Sequence, residues 1–135
     1  MFKGNITALV TPFENDAINE EAFARLIDWQ ILEGVHGLVP CGTTGESLSL
    51  SDAEYRRVLE ICVKTTRGRV PIIAGAGTNS TAKTIHYCQI AEETGVDGLL
   101  LVSPYYNKPT QDGLFAHFSA IHEATRLPFH RAAGS

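Results

Sequence analysis

The chain has 135 residues, room for one domain, and its 44% hydrophobic against 19% charged content is that of a core-forming globular protein. A formal charge of −4, with lysines scattered at 3, 64, 83 and 108, offers no basic face; nucleic acid and anionic membranes are excluded as expected partners, leaving a small molecule. No apolar run approaches the ~20 residues that span a bilayer, and the N-terminus lacks the basic-then-apolar order of a secretory signal, so the expected location is the cytoplasm.

Asn5-Ile6-Thr7-Ala8-Leu9-Val10 reads as a first strand that stops at Thr11-Pro12, since the residue before proline is pushed to extended geometry and proline cannot donate to a ladder. After an Asn15-Asp16 turn, Phe23, Leu26, Ile27, Ile31 and Leu32 recur at three- and four-residue intervals, which predicts a helix from about Asn19 to Glu33 capped by Gly34. Gly37 to Pro40 is a second strand. It runs into Cys41-Gly42-Thr43-Thr44-Gly45-Glu46-Ser47, where glycines permit a sharp turn and two hydroxyls and their peptide N–H groups suit a small anion, although an isolated Gly-Thr-Thr-Gly is also what a plain turn is made of.

Ser51-Asp52-Ala53-Glu54 is a capping-box signature, and the stripe Tyr55, Val58, Leu59, Cys62 carries a second helix to Thr66, with Gly68 ending it. Val70 to Ala74 is a third strand, followed by a second glycine-rich mouth, Gly75-Ala76-Gly77-Thr78-Asn79. A third helix runs from Ser80 to Gly95, and Gly98 to Val102 is a fourth strand ending at Ser103-Pro104-Tyr105-Tyr106-Asn107. A fourth helix, Gln111 to Ala124, is expected to carry Leu114, Phe115, Phe118 and Ile121 on one face, and Leu127-Pro128-Phe129 opens a fifth strand.

Cys41, Cys62 and Cys88 are odd in number and form no C-x-x-C, which favours reduced packing thiols over a Cys41 nucleophile. His117 and His122 are five apart and do not share a helical face, so no metal site is expected. Strands near residues 6, 38, 72 and 100 repeat at roughly thirty-residue intervals, the pattern of serial βαβ units on a parallel sheet. Without Gly-x-Gly-x-x-Gly after the first strand, the expected fold is α/β, the first four βα units of a (β/α)8 TIM barrel over residues 1–128. Ile6, Ala8, Val39, Ile73, Leu99 and Leu101 are expected to form its inner apolar layer.

Three of these motifs, Gly42-Thr43-Thr44-Gly45-Glu46-Ser47, Gly75-Ala76-Gly77-Thr78-Asn79 and Pro104-Tyr105-Tyr106-Asn107-Lys108-Pro109-Thr110-Gln111, resemble the dihydrodipicolinate synthase family, as does the opening Ala8-Leu9-Val10-Thr11-Pro12-Phe13. The resemblance covers residues 2 to about 129. It implies a homo-oligomeric (β/α)8 enzyme with no cofactor, in which a lysine forms a Schiff base with pyruvate and the enamine attacks aspartate semialdehyde. Carried over by position, Thr44 binds the pyruvate carboxylate, Thr43 sits in a proton relay, and Tyr106 is the relay tyrosine contributed across the dimer interface. The family's lysine effector site maps onto positions that include Asp52, Tyr55 and Lys83, with Lys83 where a glutamate is expected.

After Leu127-Pro128 the text reads Phe129-His130-Arg131-Ala132-Ala133-Gly134-Ser135, without the family's second relay tyrosine or its Schiff-base lysine; residues 129–135 are therefore expected to be an aberrant tail. Two other functions stand beside the synthase: another pyruvate-dependent aldolase, such as N-acetylneuraminate lyase or a 2-keto-3-deoxy sugar acid aldolase, and a non-catalytic half-barrel that assembles with itself or a second polypeptide.

Overall fold

A computed structural model describes residues 4–42, 49–78, 80–101 and 111–131. In chain order the elements are β1 (Ile6–Leu9), the short β2 (Phe13–Glu14) and β3 (Ala17–Ile18), α1 (Glu20–Leu32), β4 (Gly37–Pro40), α2 (Asp52–Thr66), β5 (Ile73–Gly75), α3 (Thr81–Thr94), β6 (Gly98–Leu101), α4 (Gln111–Ala124) and β7 (Phe129–Arg131). β1 pairs with β4, and β5 with β6 and β6 with β7, all parallel; a bridge between Leu38 and Ile72 joins the two ladders. The sheet therefore runs β1-β4-β5-β6-β7, an unclosed arc of alternating βα units.

α1, α2 and α3 each begin where a side chain takes up an orphan amide. Asn19 Oδ1 accepts from the Ala22 N–H at 3.0 Å, and Ser51 Oγ accepts from the Glu54 N–H at 3.1 Å while the Glu54 carboxylate accepts from the Ser51 N–H at 2.9 Å. α1 and α3 stop at glycines in the left-handed region, Gly34 and Gly95, both at φ 92°. α2 departs from the expected Gly68 stop: Arg67 itself takes the left-handed cap at φ 51°, one residue early, with its N–H donating to the Val63 carbonyl.

Asn15 and Asp16 both adopt positive φ, 53° and 63°, the two-residue geometry that matches strand twist, so the predicted turn closes the small β2–β3 hairpin. The third strand is shorter than Val70 to Ala74, because Pro71 has no N–H to give a ladder and pairing starts at the Ile72 bridge. Phe129–Arg131 continues the sheet as the fifth strand in parallel with β6.

The core lies between the sheet and its helices: Phe23 and Ile27 of α1, Val58, Leu59 and Cys62 of α2, Cys88 of α3 and Ile121 of α4 pack on Leu38, Ala74, Leu99 and Leu101. The register corrects the expected inner layer. Neighbours across a parallel ladder point to one face, and Ala8 pairs with Val39, Ile73 with Gly98 and Gly75 with Leu100. Leu99 and Leu101 thus face the helices and are fully buried, and Leu100 takes their place inside. Phe115 is likewise not on the packed face of α4: it is 76% exposed, one helical step away from Leu114.

Candidate active site at the strand ends

Parallel strands in register finish together, so the C-terminal ends of β1, β4, β5 and β6 form one rim: Leu9 lies beside Pro40, and Gly75 beside Leu100. In α/β folds of this kind the ligand groups gather at that rim. Cys41, the first residue past β4, is 1% exposed and adopts φ 57°. A non-glycine residue in the left-handed region is uncommon, and such conformations concentrate at functional sites. The reversal there delivers the chain into Gly42 and the threonine pair.

Gly75, at the end of β5, backs directly onto this turn. A Cβ built on it would overlap the Cys41 carbonyl oxygen and lie 2.6 Å from the carbonyl carbon and 2.9 Å from the Gly42 Cα, so only glycine permits the close approach of the two backbones. The Gly75 carbonyl accepts a 2.8 Å hydrogen bond from Tyr55 Oη, delivered from the first turns of α2. Tyr55 is fully buried and stacks at a tilt on Tyr87, ring centroids 4.8 Å apart. Burial, with smaller contributions from Cys41, Cys88 and Tyr87, holds its phenol well above the ordinary range, so it remains a donor at any working pH.

The second glycine-rich mouth is a closed knot. Thr78 Oγ1 donates to the Ser80 carbonyl at 2.8 Å and accepts from the Ser80 N–H at 3.0 Å, and the Thr78 N–H donates to Thr84 Oγ1 at 3.0 Å. This hydroxyl is spent on the loop's own backbone. Nearby, His117 is buried with Nδ1 2.6 Å from Thr81 Oγ1, and among the described residues its Nε2 has no hydrogen-bond partner; burial depresses its pKa. Asp52, at the start of α2, holds His86 at 2.6 Å.

Thr43, Thr44 and Tyr106 lie outside the described residues, as do Lys3 and Lys108; what the structure places is the Cys41–Gly42 anchor from which the threonine pair departs. Lys64 and Lys83 are exposed on α2 and α3. Burial pushes the thiols of Cys62 and Cys88 up to about 12, which makes both inert. Among the described residues no group of three or more potential ligands is placed to hold a metal, and no helix is long and apolar enough to cross a membrane. A cleft of about 640 Å³ between α1 and α2 is lined largely by charged side chains, among which Arg57 pairs with Glu20 at 2.7 Å and Arg25 with Glu21 at 3.0 Å. Sequence reasoning missed the Tyr55–Gly75 link, because a tyrosine on an apolar stripe reads as packing and nothing in the pattern aims its hydroxyl at a backbone twenty residues away.

The 4-hydroxy-tetrahydrodipicolinate synthase of Parvibaculum lavamentivorans is 56% identical to this chain over 128 residues, 95% of this chain and 44% of that protein. The synthase of Rhizobium meliloti is 59% identical over the same length and shares. Among solved structures, the synthase of Methylacidiphilum fumariolicum SolV superposes with a TM-score of 0.92 at 47% identity, covering 97% of this chain and 44% of that one. A chloride-inhibited dihydrodipicolinate synthase from Acinetobacter baumannii, solved in complex with pyruvate, gives 0.91 at 42% identity over 97% of this chain and 45% of that one. The chain thus spans somewhat under half the length of these relatives and corresponds to the first half of their barrel. With residues 1–130 matching the dihydrodipicolinate synthetase family, the chain belongs to that family.

Proposed function

We propose that this chain is the pyruvate-binding half of a 4-hydroxy-tetrahydrodipicolinate synthase, which joins pyruvate to aspartate semialdehyde through a lysine Schiff base. The observation that carries the reading is the rim itself: a strained, buried Cys41 wedged against Gly75 launches a Gly-Thr-Thr-Gly motif at the strand ends. Thr44 supplies hydroxyl and amide donors to the pyruvate carboxylate. Thr43 and Tyr106 move the protons that imine formation and dehydration require, since a hydroxyl both donates and accepts. A pyruvate complex of a relative at 42% identity supports the choice of ligand.

The nucleophilic amine is the part this chain does not supply. Imine formation needs an unprotonated lysine beside the bound keto acid. Lys64 and Lys83 are exposed on α2 and α3 and lie on no strand of the rim. Lys3 and Lys108 precede the first strand and follow the fourth. Alone, the chain binds pyruvate without turning it over. Titrating pyruvate into the isotope-labelled chain tests this by NMR: the Cys41 and Gly42 amides are expected to shift saturably, and Thr44→Val to abolish the shift. No saturable shift, or the same shift in Thr44→Val, refutes the reading.

Exposed apolar side chains at both open flanks, Trp29 (53%) and Leu32 (77%) on α1 and Phe115 (76%) on α4, favour a second reading, in which the half-barrel closes against a second copy of itself. Size-exclusion chromatography at graded concentration separates a dimer from a monomer.

A further inference from the structure

Three structural facts converge on one residue of α2. The Tyr55 hydroxyl is fully buried, its partner is the carbonyl of Gly75 at 2.8 Å, and Gly75 lies in backbone contact with the Cys41–Gly42 turn. Gly75 ends β5, and the N–H of the next residue, Ala76, donates to the Leu100 carbonyl at 3.1 Å, which ties the same peptide to β6. The Gly75 carbonyl is thus held from one side by α2 and its strand from the other by β6. The Cys41 turn, in a backbone conformation unfavourable to cysteine, rests against this fixed surface.

We infer that Tyr55 is a positioning residue for the carboxylate-binding threonines: by holding the Gly75 carbonyl it keeps β5 pressed against Cys41–Gly42 and so fixes where the chain enters the threonine pair. The role rests on the pyruvate reading above for its purpose, and on the hydrogen bond and the glycine contact for its mechanism. Tyr55 touches no substrate. It acts through Gly75 and then Cys41, and its ring is held in place by Tyr87.

Tyr55→Phe keeps the ring, its packing and its stack on Tyr87, and removes only the hydroxyl, leaving a buried carbonyl without its donor. Cys41 reports the local consequence, and Cys62, buried between α2 and the sheet, reports general loosening. Thiol-labelling kinetics followed by peptide mass spectrometry should show Cys41 reacting about tenfold faster in Tyr55→Phe, a factor of the order that loss of one buried hydrogen bond gives, with Cys62 unchanged. Tyr87→Phe, which removes the neighbouring hydroxyl, should accelerate neither. The pyruvate dissociation constant should rise about tenfold in Tyr55→Phe alone.

A Tyr55→Phe chain whose Cys41 and Cys62 accelerate together, or not at all, overturns the inference whatever pyruvate does. Selective Cys41 opening in a chain that never binds pyruvate sustains the strut and overturns the pyruvate reading instead. Should Tyr55→Phe fail to fold, the wild-type chain still decides. A slowly exchanging Tyr55 hydroxyl proton is required, and a Tyr55 hydroxyl that exchanges freely with water overturns the proposal.

Discussion

Gly75→Ala puts a methyl group into the contact on which the rim depends. The new carbon would lie 2.6 Å from the Cys41 carbonyl carbon, where carbon contacts relax at about 3.5–4.0 Å, so one backbone must withdraw by about 1 Å. No rotamer relieves this, since the obstructing atoms are backbone. Forcing an extra methyl into packed surroundings costs about 1–3 kcal/mol. Moving β5 to make room also strains the Tyr55 hydrogen bond, worth about 0.5–1.5 kcal/mol. Against these, replacing glycine at an ordinary φ returns about 0.4–1 kcal/mol through the unfolded chain. The expected net loss is about 2 kcal/mol, read as a fall in the urea midpoint at unchanged slope. A variant as stable as the parent would show slack between β5 and the Cys41 turn and refute the close-contact argument.

His117 makes stability depend on pH. Its folded pKa is lowered by burial, so the unfolded chain binds the extra proton; stability is full above the ordinary value near ~6.5 and is lost as pH falls through it. Urea midpoints between pH 5 and 8 should show this decline, and His117→Gln should flatten it. Ser51→Ala removes the side-chain half of the α2 capping box, the Oγ acceptor of the Glu54 N–H, and should cost about 1 kcal/mol by denaturation, with α3 unaffected in amide exchange. Lysine should not inhibit an enzyme completed with the family's remaining strands. Lys83 repels the effector's amine, Asp52 is engaged by His86, and the Tyr55 hydroxyl is buried against Gly75; strong inhibition at millimolar lysine would contradict this.

Local signals carried most of the fold. The Asn19 and Ser51 caps, the glycines at 34 and 95 and the apolar periodicity placed α1, α2, α3 and α4 within a residue or two, because each of these is settled by neighbours in sequence. What required the structure was register. Leu99 and Leu101 were indistinguishable from Leu100 in a continuous apolar run, and only the pairing of Gly75 with Leu100 shows which face each takes. Phe115 failed for a related reason: a run of Leu114-Phe115 offers two candidates for one packed position, and the sheet chooses Leu114. At the site, the threonine motif beyond Gly42 lies outside the described residues. Its support, the Gly75–Cys41 contact and the Tyr55 strut, is long-range and left no trace in the pattern.

In the proposed function this half of the barrel binds pyruvate but brings no amine to it. Incubating the chain with pyruvate and borohydride, weighing it intact and mapping its peptides asks both questions of the four lysines at once. The expected result is an unchanged mass in a sample whose Cys41 and Gly42 amides still report saturable pyruvate binding. Stoichiometric reduction onto a single lysine would contradict the account, and would name the residue whose amine had been misjudged.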